Sequence, residues 1–422
     1  MNNDTALGLS ASIADRLAHA GTAPPTVSTQ AARQHLALGP IGIALLHIER
    51  AAAGLGPWQR AHDWLAAATR RPFTSGADSH PFYGAPALAH VLACAAEGLP
   101  GAYARELALL DRRIFDDVQR RLDDAHRRVD AGQLPALAEF DAIRGLTGFG
   151  GYLLRRDPAG PALQSILDYC VRLTEPLTHQ GDTLPGWWTL SGPSGRPDDQ
   201  FPGGHSNTGM AHGVGSVLAL LALCARRGTK VSGHSQALRT ILAWLDHWAT
   251  ATTHDGTWPY WVTRDELRTG QLAPAGPRRP SWCYGTAGIA RAQQLAALAL
   301  GDPTRRAVAE NAFLNALTDP EQLWATTDTG LCHGFAGLAH ITGRAAADAA
   351  PETANQLRAV LPDLLATLLP PGSKPEDAGT ALIDGAPGAG LLDGAAGIGL
   401  GLLSTSGTAP PRTHWDAFLL VA

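Results

Sequence analysis

A short glycine signature followed by an apolar helical stretch recurs seven times along this 422-residue chain, and no other feature restricts its fold so tightly. The copies read GPIGIALLHIERAA from Gly39, GAPALAHVLACAA from Gly84, GLTGFGGYLLRR from Gly145 and GVGSVLALLALCARR from Gly213. They continue as GTAGIARAQQLAALAL from Gly285, GFAGLAHITG from Gly334 and GAAGIGLGLL from Gly394. Successive starts lie 45, 61, 68, 72, 49 and 60 residues apart, which is room for two helices and their loops. The intervening sequence fits that spacing: residues 235–251 place apolar side chains at helical period with a polar opposite face. Alternating β-branched runs are almost absent. Glycine's missing side chain lets backbones approach closely, which suits helix entries crowded around a common hub. The repeats therefore predict an all-α chain with a glycine-led inner helix and an outer helix in each. A closed α/α toroid and an open solenoid of helix pairs both satisfy that pattern.

Residues 99–138 depart from the repeat. They predict a charged helix, with Leu107, Leu110, Ile114, Val118, Leu122, Ala125 and Val129 on one face. The opposite face offers four acid-to-arginine pairs at i,i+4: Asp116–Arg120, Asp117–Arg121, Asp123–Arg127 and Asp124–Arg128. Such a helix is either a solvated outer helix or an insertion that guides a peptide over the mouth of the repeat array.

A net charge of −5 argues against nucleic acid as the main partner. The N-terminus lacks the basic start and apolar core of a secretory signal. The longest apolar run, residues 217–225, falls far short of the ~20 residues that cross a bilayer. Five cysteines in so long a chain do not form a disulfide framework, so the reading is a soluble, cytoplasmic protein with thiols free to bind metal.

Two motifs carry the chemistry. SWCYGTAG (281–288) and LCHGFAG (331–337) set Cys283, Cys332 and His333 just before the glycines of the fifth and sixth repeats. If all inner helices start at one end of a toroid, these side chains converge near its axis. Two thiolates and an imidazole suit zinc, and three protein ligands leave a fourth position for substrate. The spacing alone also allows two buried thiols and a hydrogen-bonded histidine. Cys94, Cys170 and Cys224 sit in apolar helical stretches and read as core. Further reactive groups occupy the same rim: His212 immediately before Gly213, Asp141 four residues before Gly145, Arg279 four before Cys283, and Tyr284.

Taken together, AHG of the fourth repeat, WCYG and CHG, with GWW (186–188), FPGGH (201–205) and WPYWVT (258–263), resemble the lanthionine synthetase C family over essentially the whole chain. The resemblance implies a seven-fold, double-layered α/α toroid forming a single domain over 1–422. It implies one zinc per chain held by Cys283, Cys332 and His333, with His212 as catalytic histidine. Asp141, Arg279 and Tyr284 match further active-site positions, though Arg278 adjoins Arg279 and either could face the site. Two repeats depart from the pattern: Ala87 replaces the second glycine of repeat two, and Ser216 that of repeat four.

The activity implied is lanthionine and methyllanthionine ring formation, in which a peptide cysteine thiolate adds to a dehydroalanine or dehydrobutyrine of the same precursor. A stand-alone cyclase of this kind would work beside a separate dehydratase and a transporter, in the cytoplasm or peripheral to a membrane-associated complex. Three rivals remain. One is a related enzyme that adds glutathione or another external thiol. Another is a zinc-dependent toroid resembling protein prenyltransferases. The third is a non-catalytic helical scaffold that binds peptides.

Overall fold

The computed structural model describes the whole chain except residues 23–29, 250–256, 275, 386–387 and 407–410. All seven glycine-led stretches are helices: α1 (Pro40–Ala52), α2 (Ala85–Gly98), α3 (Leu146–Arg156), α4 (Val214–Arg226), α5 (Thr286–Leu300), α6 (Phe335–Asp348) and α7 (Ala395–Ser406). The first glycine of each signature is the N-cap of its helix in α1 to α6, and Gly394 directly precedes α7.

The second glycine, where the signature keeps one, is required by close approach. The chain folds back on the turn that precedes each helix, so a Cβ at Gly337 would lie 2.0 Å from the Leu331 carbonyl oxygen. At Gly397 the equivalent distance, to Leu391, is 1.7 Å. The amides of the same residues close that turn, Gly337 onto the Gly330 carbonyl (3.1 Å) and Gly397 onto Gly390 (3.3 Å). Each inner helix is thus preceded by a tight loop that fixes the residues just ahead of the first glycine. Ser216 fits the fourth repeat because its hydroxyl donates to the Gly213 carbonyl at 2.8 Å.

The inner helices are covered on all sides. α1 is buried without a break from Pro40 to Ala51, His47, Glu49 and Arg50 included, and the almost wholly apolar α4 from Val214 to Ala225. Their neighbours bury a single stripe. Trp58–Thr69 buries Ala61, Trp64, Leu65 and Ala68, and His234–His247 buries Ala237, Leu238, Ile241, Leu242 and Leu245. The latter is the helix read at 235–251, of which residues 250 and 251 lie outside the described residues.

The chain forms two compact units, Met1–Ile114 with Thr326–Asp416, and Phe115–Ala325 with Ala417–Ala422. In the first, α6, α7, α1 and α2 pack in that order, with Asn3–Arg16 on α7, Trp58–Thr69 on α1 and Pro351–Ala366 on α6. The contact of α7 with α1 joins the last repeat to the first, which an open solenoid does not do. The returning chain is pinned there: Glu49 accepts from the Arg412 and Thr413 amides, and Asp416 binds His340 and both ends of the Arg344 fork. In the second unit α3, α4 and α5 pack in order, with Pro161–Arg172 on α3 and Pro303–Thr318 on α5.

The charged helix spans Ala104–Asp130 and buries the expected stripe from Leu107 to Ala125, while Val129 is half-buried. Its ion pairs differ from the i,i+4 expectation. Asp117–Arg121 forms at 3.3 Å, but Arg120 turns to Asp117, Arg127 to Asp124, and Arg128 leaves the helix for Glu139 at 2.6 Å. The buried Asp117 carboxylate explains part of this, because a charge out of water draws two guanidiniums rather than one. Two short antiparallel ribbons were not foreseen: Leu177–His179 with Asp182–Leu184, and His205–Asn207 with Trp261–Thr263. Cys94, Cys170 and Cys224 are buried, and burial pushes the Cys224 thiol up to about 12 and Cys170 higher still. Among the described residues no helix is long and apolar enough to cross a membrane.

Candidate active site

The segment ahead of α4 is built to deliver His212. Trp187 and Trp188 are buried, and their indole N–H groups donate to Ser206 Oγ and the Gly203 carbonyl, both at 2.9 Å. Gly203 and Gly204 have φ of +79° and +81°, and a Cβ on Gly204 would meet the Thr189 oxygen at 1.9 Å. FPGGH is therefore a turn that only this glycine pair builds, and it launches the strand His205–Asn207. Beyond the strand, Met210 donates its amide to the Cys283 carbonyl at 2.9 Å, which stitches the AHG loop to the WCYG loop.

His212 Nδ1 lies 2.6 Å from Asp141 Oδ2. Asp141 is buried, and its other oxygen accepts the amides of Arg144 (2.6 Å) and Gly145 (2.9 Å) at the N-terminus of α3. One carboxylate thus caps a helix and orients an imidazole, leaving Nε2 as the nitrogen that can exchange a proton. The Tyr284 ring lies 6.4 Å from that of His212, and its hydroxyl oxygen accepts from Asn207 Nδ2 at 3.1 Å. Tyr260 stands beside it, ring centroids 5.7 Å apart, and donates its hydroxyl to the Arg279 carbonyl at 3.0 Å. Burial pushes the Tyr260 phenol up to about 12, opposed by the charges of Arg279 and Arg278. Of the two arginines, it is Arg278 whose guanidinium stacks over the Tyr260 ring, at 5.3 Å.

Cys283 is buried, with Ser281 Oγ 3.7 Å from its sulfur. Cys332 is fixed by its amide, which donates to the Leu392 carbonyl at 2.8 Å. His333 has Asp328 3.6 Å from Nε2 and Asp393 3.8 Å from Nδ1, close enough for charge to matter but beyond hydrogen-bond length. Cys332 and His333 stand side by side in the first unit, just ahead of α6, and Cys283 stands in the second, just ahead of α5.

Sequence reading missed Asn207, Ser281, Asp328, Asp393 and Tyr260. Each acts as a hydrogen-bond or charge neighbour of a motif residue, a role that leaves no spacing signature. Asn207 lies between FPGGH and AHG, and nothing in the stretch 201–213 separates it from its polar neighbours.

A solved structure described as nisin cyclase superposes with a TM-score of 0.75 at 19% identity, covering 94% of each chain. Nisin biosynthesis protein NisC of Lactococcus lactis subsp. lactis is 26% identical over 207 residues. That match spans about half, 48%, of this chain and of the relative. The likeness of structure shows the fold to be an α/α toroid. The chain belongs to the family described as lanthionine synthetase C-like protein, whose model matches residues 31–420.

Proposed function

We propose that this protein is a zinc-dependent lanthionine cyclase, acting on a precursor peptide that a separate enzyme has dehydrated. The observation that carries the reading is the donor set: two thiols and one imidazole, each set by its motif just ahead of an inner helix, α5 or α6. Such a set fits zinc in a site with a coordination position left for substrate, rather than a closed structural site. When bound, zinc would supply Lewis acidity that keeps the substrate cysteine ionised, where a free thiol with pKa near ~8.5 is only a few per cent thiolate at neutral pH.

The chain's own groups account for the remaining steps. His212 Nε2, held in one tautomer by Asp141, takes the thiol proton or returns one to the α-carbon. The thiolate sulfur bonds to the β-carbon, the alkene electrons move onto the conjugated carbonyl, and the enolate so formed needs donors. The Tyr284 hydroxyl and the cationic arginines beside Tyr260 can provide them. Protonation at the α-carbon completes the thioether with no net change in mass.

Zinc analysis of the wild type beside Cys283→Ala, Cys332→Ala and His333→Ala tests the reading. Stoichiometry of about one per chain, lost in each folded variant, is expected, together with disappearance of alkylatable thiols when dehydrated peptide is added. Zinc-free wild type with unchanged variants, or peptide thiols that persist, would overturn it.

A further inference from the structure

Asn207 is fully buried at the end of the strand His205–Asn207, five residues before His212. Its two amide atoms have separate partners: Oδ1 accepts the Gly209 amide at 3.0 Å, and Nδ2 donates to the Tyr284 hydroxyl at 3.1 Å. The first contact settles the second. A backbone N–H can only donate, so the carbonyl end of the amide must face Gly209, and the NH₂ end must face the phenol. Flipping the amide would set donor against donor at Gly209. The side chain is also wedged in place, since a Cβ on Gly213 would lie 2.5 Å from Asn207 Oδ1. The first glycine of the fourth repeat is what gives this amide its room.

The consequence falls on Tyr284. A phenol oxygen that accepts from a committed donor cannot send its own proton back along that line, so the O–H must be directed to another acceptor. Resting on the cyclase reading above, we infer that Asn207 is a positioning residue that fixes the polarity of Tyr284, holding its hydroxyl as a hydrogen-bond donor toward the enolate oxygen that forms when thiolate adds to the dehydro residue. No proton is transferred in this contact. The bond is made by charge that develops in the transition state, so it belongs to kcat rather than KM.

Two substitutions separate polarity from packing. Asn207→Asp keeps the shape but replaces the donor with a carboxylate oxygen, which captures the Tyr284 proton and reverses the bond. Asn207→Ala leaves a cavity but no competing acceptor. Zinc content and cyclisation of a dehydrated peptide are measured for both, and again in a Tyr284→Phe background. The expectation is that Asp lowers kcat about tenfold or more with KM within about twofold, and that Ala lowers it less. In the Tyr284→Phe background Asp should add no further loss, because the proton it captures is gone.

The opposite order, with Ala worse than Asp, would make Asn207 a packing residue and overturn the inference. So would an Asp effect that persists without the Tyr284 hydroxyl, or loss of zinc from both variants. Failure of the wild type to cyclise any dehydrated peptide would instead defeat the functional reading on which this rests.

Discussion

The Asp141 carboxylate repeats, on the other side of His212, the logic of a side chain with two distinct ends. Its Oδ1 is committed to the Arg144 and Gly145 amides, so in Asp141→Asn the new carbonyl must stay there and the NH₂ must face His212 Nδ1. A donor at that place forces the imidazole proton onto Nε2, the wrong tautomer for a base. The helix cap would survive while the proton relay would not. Ring closure should fall at least ~100-fold with zinc content unchanged, by the reasoning that applies to the carboxylate of a hydrolase triad. A rate within twofold of wild type, measured as loss of free thiol with time, would mean that Asp141 is only a helix cap.

The entries of the inner helices give a paired prediction on α6. Gly337→Ala would drive a Cβ against the Leu331 carbonyl at 2.0 Å and its carbon at 2.7 Å, and backbone cannot step aside as a side chain can. Gly343→Ala, on the same helix, meets only Thr405 Cγ2 at 3.7 Å, an ordinary contact. The first should cost about 3 kcal/mol or more, whereas the second should gain about 0.5–1 kcal/mol from helix propensity alone. Urea midpoints for the two variants check this, and equal shifts of the same sign would refute the close-approach account. The same physics explains what the sequence displayed. A first glycine that meets backbone at close range in all seven repeats is visible without coordinates, and so are Cys283, Cys332, His333 and His212, which the glycine positions index. The ribbon His205–Asn207 with Trp261–Thr263 was invisible, because three residues show no period and the partners lie more than fifty positions apart. The Asp141–His212 bond joins residues separated by 71 positions, so the sequence offered both residues and the repeat register but not their contact. The ion pairs of Ala104–Asp130 went astray for a related reason: Asp117 and Glu139 draw arginines according to burial, which helical spacing does not encode.

Acid should weaken the whole chain through histidines whose pKa burial lowers, His47 and His340 in one compact unit and His205 and His234 in the other. His47 on α1 donates Nε2–H to the Leu17 carbonyl at 2.8 Å, and burial pushes its pKa down to about 4. His205 is fully buried beside Phe201 and Trp261, bonds the Ser191 carbonyl at 2.9 Å, and is likewise pushed down to about 4 by burial. In the unfolded chain both titrate near ~6.5. Between these values the unfolded state binds more protons than the folded one, so stability rises with pH across the window. The contribution is complete above about 6.5 and is lost as pH falls toward 4; by pH 5 the loss is on the order of 2 kcal/mol for each of these two histidines. Protonation of zinc ligands would add its own loss, so melting is followed on chelator-treated protein. Its melting temperature should drop by several degrees between pH 7.5 and pH 5. His47→Gln keeps an N–H for Leu17 without a group that titrates, and should flatten the drop in proportion. An equal drop in that variant would remove His47 from the account and leave the other three histidines to carry the acid sensitivity.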